Sequence, residues 1–190
     1  REDSSADGLA KLRPVFDKPY GNVTAGNSSQ VTDGAALLLL ASQETVDKYN
    51  LQPLGKIIDS QWAGLDPAQM GLGPVYAATP ILQRHGLGLN DLDLWELNEA
   101  FAAQVMGCLR AWNDADFCRD ELHSEAWGVL DEDKMNVDGG AIAIGHPVGA
   151  SGARIVLHLL HALKARGKER GMATICIGGG LGGAMLVETC

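Results

Sequence analysis

The sequence predicts an α/β fold in which a mixed, largely parallel sheet is covered by helices. Three observations carry that expectation. Short apolar runs with strand spacing alternate with longer stretches of helical spacing, in the order β-α-β-α-β-α-β-β. The 190 residues have an ordinary globular balance, 46% hydrophobic and 21% charged. The 24 glycines cluster in 139–152 and 178–183, where backbone must approach backbone or ligand closely. A chain of this length can bury roughly 70% of its unfolded surface, which excludes a disordered segment.

Each element follows from local chemistry. Residues 1–32 are polar and irregular, with Pro14, Pro19 and Gly21, and read as loop with a short strand at 23–24. Asp33 reads as a helix N-cap. Residues 34–49 read as an apolar strand or turn entering a helix, closed by Pro53. Residues 54–60 alternate as a strand does. Gly71, Gly73 and Pro74 make a turn before a helix over 75–85, which Gly86 stops. Pro80 in that helix marks a first-turn or kinked position. Residues 92–97 are a strand. Phe101, Ala102, Val105, Met106 and Leu109 have helical spacing within 98–112.

Residues 113–134 carry eight acidic side chains and read as a solvated insertion with no role in a site. Residues 136–144 are a short strand running into a Gly-rich turn. Ile155, Val156, Leu159, Leu160 and Leu163 form the apolar stripe of a helix from about 151 to 167. Residues 174–177 and 184–187 are strands joined by a second Gly-rich turn.

Charge and cysteine usage exclude several classes. Fifteen basic and 24 acidic residues give a net charge of −9, against the basic face of a nucleic-acid module. No apolar run approaches the ~18 residues of a spanning helix, so no membrane partner is expected. Cys108, Cys118, Cys176 and Cys190 have neither CxxC nor His-pair spacing. That argues against zinc or a disulfide framework and for a reducing, cytoplasmic setting. The sequence starts at Arg1 without a signal-peptide pattern, so the expectation is a processed chain or the later part of something longer.

The Gly-rich segments fit no nucleotide motif. Gly178-Gly179-Gly180-Leu181-Gly182-Gly183 matches G-x-G-x-x-G literally, but a strand follows it where a dinucleotide site needs a helix. A strand–turn–strand can instead offer backbone N–H groups to an oxyanion, or be a tight hairpin beside a crowded core. Gly145-His146-Pro147-Val148-Gly149 has no Lys for a P-loop, and Ser151 lacks the frame of a nucleophile elbow. It does hold His146 in a rigid turn ahead of a helix. A lone loop His is commonly structural, Cys176 in an apolar strand is commonly inert, and Asn98 at a strand-to-helix junction is an ordinary N-cap.

Taken together, three segments resemble the C-terminal signatures of the thiolases, the acetyl-CoA acetyltransferases and 3-ketoacyl-CoA thiolases. They are Asn98-Glu99-Ala100-Phe101-Ala102-Ala103-Gln104, the run from Gly139 to Arg154, and Cys176-Ile177-Gly178-Gly179-Gly180-Leu181-Gly182, in the family's order and spacing. Thr24 to Ser29 and Met70 to Pro74 also resemble family segments, so the likeness covers the chain outside 113–134. It implies the thiolase fold, layered αβαβα when complete. It also implies roles. His146 activates a nucleophilic thiol and steadies the thioester oxyanion. Cys176 is the general acid/base. Asn98 holds a water that forms one oxyanion hole with His146, and the Gly178 N–H serves the other. Ser29, Ala25 and Phe16 hold the pantetheine arm; Met70, Ala100 and Phe101 line the acyl pocket. Claisen chemistry on a thioester needs these parts and no metal or cofactor, the substrates being coenzyme A thioesters.

One part of the family pattern has no counterpart. The family's nucleophilic Cys stands at a helix N-terminus in its N-terminal half, and no such segment occurs here. The resemblance therefore implies a C-terminal half: 1–32 the tail of the substrate-binding loop region, 33–52 the end of the N-terminal domain, 53–190 the C-terminal domain. It further implies a partner polypeptide bearing the nucleophile, with dimer or tetramer assembly beyond that. Lys11, Arg13 and Lys18 are candidates for the nucleotide phosphates. The competing expectation is a non-catalytic, acyl-CoA-binding thiolase relative. A ketosynthase-like condensing enzyme is disfavoured, since those use a second His where Cys176 stands.

Overall fold

The structure is a computed structural model and describes residues 2–190. Its centre is a four-stranded sheet of β1 (Gly55–Gly64), β2 (Leu94–Leu97), β3 (Arg170–Ile177) and β4 (Leu181–Thr189). The order across the sheet is β1-β4-β3-β2. β4 runs antiparallel to both β1 and β3, and only β2 and β3 are parallel among the described residues. The sheet is mixed, as the sequence predicts, but not largely parallel. The difference comes from the Gly178–Gly180 turn, which makes β3 and β4 a hairpin, whereas a parallel pair needs a long crossover.

Alternation along the strands sorts side chains onto two faces. Trp95, Leu97, Met172 and Leu186 meet α3 (Gly73–His85) and α4 (Ala102–Asn113) in one core. Leu94, Ala173 and Val187 meet Ile155, Leu159 and Leu163 of α7 (Val148–Ala165) in the other. α3 begins at Gly73-Pro74 and ends on Gly86 in the left-handed region, φ 62°, the helix-stop chemistry visible in sequence. Gly182 is needed where β4 crosses the start of α3, because a Cβ there would collide with the Gly73 backbone.

Four local expectations are corrected. Residues 23–24 form no strand, and a short helix, α1 (Ala6–Ala10), stands in the leading loop. Asp33 caps nothing: α2 (Gln43–Tyr49) starts ten residues later, with Ser42 Oγ accepting from Thr45 N at 3.3 Å. Asn98 is not an N-cap either, since α4 starts at Ala102.

The expected strand over 136–144 is a single parallel bridge between Met135 and Trp95, followed by the short helix α6 (Ala141–Ile144). Asn136 (φ 48°) and Gly139 (φ 89°) turn the backbone out of extension there. The Asn136 side chain continues the ladder instead, accepting from Leu97 N at 2.9 Å and donating to Leu97 O at 2.9 Å.

The acidic stretch is more than a solvated loop. Its charges point to solvent, while Cys118 and Leu130 of α5 (Ala115–Glu121) and the following turn are buried. Trp127 N donates to Trp112 O at 2.8 Å and locks the segment to α4.

Candidate active site

The site is assembled by a strap. Residues 28–32 run between two of the signature segments, with single bridges from Ser28 to Phe101 and from Val31 to His146. Ser29 N donates to Ala100 O at 2.9 Å, and Ala102 N to Asn27 O at 2.9 Å. Further on, His146 N donates to Gln30 O at 2.9 Å. The turn that launches the strap is fixed by Thr24 N donating to Asn27 Oδ1 at 2.8 Å. Loop, β2 junction and α7 entrance are thereby stitched into one unit.

Ser151 supports one tautomer of His146. Ser151, fully buried one turn into α7, donates its hydroxyl proton to Pro147 O at 3.1 Å. Its oxygen therefore accepts from His146 Nδ1–H, at 2.7 Å. That leaves Nε2 with a free lone pair. Asn98 Nδ2 stands 3.5 Å from Nε2, a long contact at the edge of hydrogen bonding. Burial, with the nearby Arg154 charge, holds the His146 pKa below the ordinary imidazole value. The ring is thus neutral near pH 7 and presents a base. Arg154 Nη1 also donates to Gly145 O at 2.9 Å, bracing the turn in front of His146.

The sheet backbone links the strand of Cys176 to Asn98. Asn98 N donates to Thr174 O at 2.9 Å, two residues before Cys176 near the end of β3. Cys176 is 6% exposed, and burial raises its thiol above the ordinary cysteine value, so it is protonated at rest. Gly178 follows at the mouth of the hairpin, with open space around its Cβ position.

The remaining candidates are spread along the strap and its neighbours. Phe16 stands edge-on to Phe101, centroids 6.4 Å apart. Ala100 is buried behind them. Ala25 lies on the turn and lines a cleft of about 1120 Å³ between α1, the strap and α4, beside the His146 group rather than on it. Met70 sits on the 3-10 turn Pro67–Leu72, away from the strap. Cys108 is no substitute nucleophile, because burial pushes its thiol up to about 12. Cys118 is buried against the Ala111 and Trp112 carbonyls.

The family description "Thiolase, C-terminal domain" matches residues 51–189, and "Thiolase, N-terminal domain" matches residues 1–44. The chain belongs to the thiolase family. An acetyl-CoA acetyltransferase of Chromobacterium violaceum is 50% identical over 188 residues, 99% of this chain and 44% of that relative. A 3-ketoacyl-CoA thiolase of Serratia proteamaculans is 46% identical over 190 residues, 99% of this chain and 44% of that relative. The crystal structure of the Bacillus anthracis acetyl-CoA acetyltransferase superposes with TM-score 0.86 at 43% identity, and human mitochondrial 3-ketoacyl-CoA thiolase in complex with CoA with 0.82 at 40%. Both cover 100% of this chain and 44% of theirs. The fold is therefore that of the thiolases, and the chain spans less than half the length of the relatives it matches.

Within this thiolase chain, sequence reasoning missed the supporting residues. Ser151 and Arg154 lie inside a quoted signature but carry no role in it. Glu99 accepts from Asn136 Nδ2 at 2.8 Å and from Ile142 N at 3.2 Å, tying β2 to α6. The only sequence signal for these was a charged or hydroxyl residue inside a Gly-rich motif. Among the described residues no cluster of three metal-ligating side chains occurs, and no helix is long and apolar enough to cross a membrane.

Proposed function

We propose that the chain is the C-terminal half of a thiolase that transfers acyl groups between coenzyme A thioesters, by thiolytic cleavage of 3-ketoacyl-CoA or the reverse condensation. The observation that carries this reading is the free Nε2 of a neutral His146, fixed by Ser151 and faced by Asn98. Such an imidazole takes a thiol proton and, with an amide-held water, steadies a thioester oxyanion.

In cleavage, a thiolate attacks the 3-carbonyl, the C2–C3 bond breaks, and the departing carbanion takes the Cys176 proton. A thiol kept neutral by burial suits that acid step. In condensation the Cys176 thiolate removes the α-proton of acetyl-CoA. The Gly178 N–H donates to the second oxyanion. Ser29, Ala25 and Phe16 cradle the pantetheine arm, while Met70, Ala100 and Phe101 face the acyl group. Residues 53–190 act as the C-terminal domain, with 1–32 and 33–52 as the ends of the loop region and the N-terminal domain.

The nucleophilic Cys is supplied by thiolase sequence outside these 190 residues. Intact mass spectrometry of an active preparation tests this; activity from a 20.1 kDa species alone would refute it. In the assembled protein His146→Ala is expected to lower acetoacetyl-CoA thiolysis by roughly 10²–10⁴ with the fold retained. The wild-type acid limb should lie below the ordinary histidine value of about 6.5, activity falling as pH drops through it, because protonation removes the base. Wild-type turnover in the alanine variant sinks the assignment.

A further inference from the structure

A second polar cluster lies behind Asn98. Glu96 and Asn98 are two apart at the end of β2, so both face α7. Between them and α7 is a cavity of about 100 Å³ lined by Glu96, Asn98, Arg154 and His158. Glu96 is 5% exposed, and its Oε1 meets His158 Nδ1 at 2.7 Å. His158 Nε2 lies 3.3 Å from Asp138, whose other oxygen accepts from Arg166 at 2.8 Å. The charge pair thus closes the outer side of the cavity.

The inner side ends on an unpartnered atom. Asn98 is 2% exposed, and its Oδ1 has no hydrogen-bond partner. A carboxamide has two ends, and only one can face His146. A polar cavity of this size has room for water with several partners. A water held there by Glu96 and Arg154 would donate to Oδ1 and favour the oxygen end facing the cavity. The amide then turns Nδ2 outward. Were it flipped, Oδ1 would oppose the Nε2 lone pair.

We infer that Glu96 and His158 are positioning residues for Asn98, closing a water-holding cavity that keeps its Nδ2 aimed at the His146 side of the site. This deepens the thiolase reading above and rests on it for the role of Asn98. The pair touches no substrate and acts through the amide. Nothing in the acyl-transfer chemistry itself requires a buried carboxylate at position 96 or an imidazole at 158.

The test uses the assembled enzyme with acetoacetyl-CoA and CoA. His158→Leu is expected to lower kcat roughly tenfold with KM changed less than about twofold, as for a small misplacement near the reacting atoms. His158→Gln, which keeps a donor towards Glu96, should recover most of that loss. Glu96→Leu, a volume-matched apolar replacement, should reproduce it if His158→Leu folds poorly. Unchanged kcat in a folded leucine variant overturns the inference, as does a glutamine variant no better than leucine. Nitrogen-15 NMR of the histidines separates the two claims. If wild-type enzyme proves inactive, the functional reading fails, yet the positioning claim still predicts that His158→Leu shifts the His146 Nε2 resonance and that His158→Gln restores it. An unmoved resonance overturns it whatever the turnover.

Discussion

Residues 55–189 and residues 2–54 treat apolar side chains in opposite ways. The first region buries its own: two cores flank the sheet, and Trp95, Trp112, Leu97, Leu163 and Leu186 are sealed from solvent. The second has Thr24 as its one buried residue among those described. Its leucine run stays open, with Leu37 at 81%, Leu39 at 85% and Leu40 at 71% exposure. That run is apolar enough to be core. A hydrophobic run states that it is to be covered, and says nothing of which residues cover it. The matches to C-terminal and N-terminal thiolase descriptions change over between residues 44 and 51, beside the same divide.

The sharpest way to break this comparison is at Trp112. It is fully buried, packs tilted against Trp95 with ring centroids 5.5 Å apart and donates to Thr79 Oγ1 at 3.1 Å. Trp112→Ala should cost about 3–5 kcal/mol in denaturant unfolding; a loss below about 1 kcal/mol would mean that the 55–189 core is not closed on itself. Asn136→Ala removes both bonds to Leu97 and the one to Glu99. It should cost about 1–3 kcal/mol by leaving buried partners unpaired, read by the same titration. The smallest effect belongs to the open run. Leu39→Ser in the isolated chain should move stability by no more than about 0.5 kcal/mol and reduce self-association in sedimentation. A cost above about 1 kcal/mol would place Leu39 in a core after all.

What could be read beforehand follows the same line. Helices α3, α4 and α7 and strands β1, β3 and β4 were legible because their period and their Gly and Pro punctuation are local. The parallel-sheet expectation failed because pairing direction depends on which strands are joined by a tight turn. The 136–144 strand failed because a side chain, Asn136, does the work of backbone. Asp33 failed because residues 33–42, the apolar run included, form no helix for it to cap.

At the site, His146 and Asn98 were legible as parts of long signatures, and they stand together. Ser151, Arg154, Glu96 and His158 were not, because each meets a group that is not its neighbour in sequence: the His146 ring, the Gly145 carbonyl, and one another across the fold. The motif nominates residues for the chemistry; the fold shows what holds them in place.

The carboxylate of Glu99 occupies the very volume that a Cβ on Gly140 would fill. The two positions are therefore not free to drift separately. A larger residue at 140 must displace the Glu99 carboxylate, and in doing so it disturbs the anchor of Ile142 and Asn136. Inheritance at these two sites is shared: one change closes the door that the other would need open.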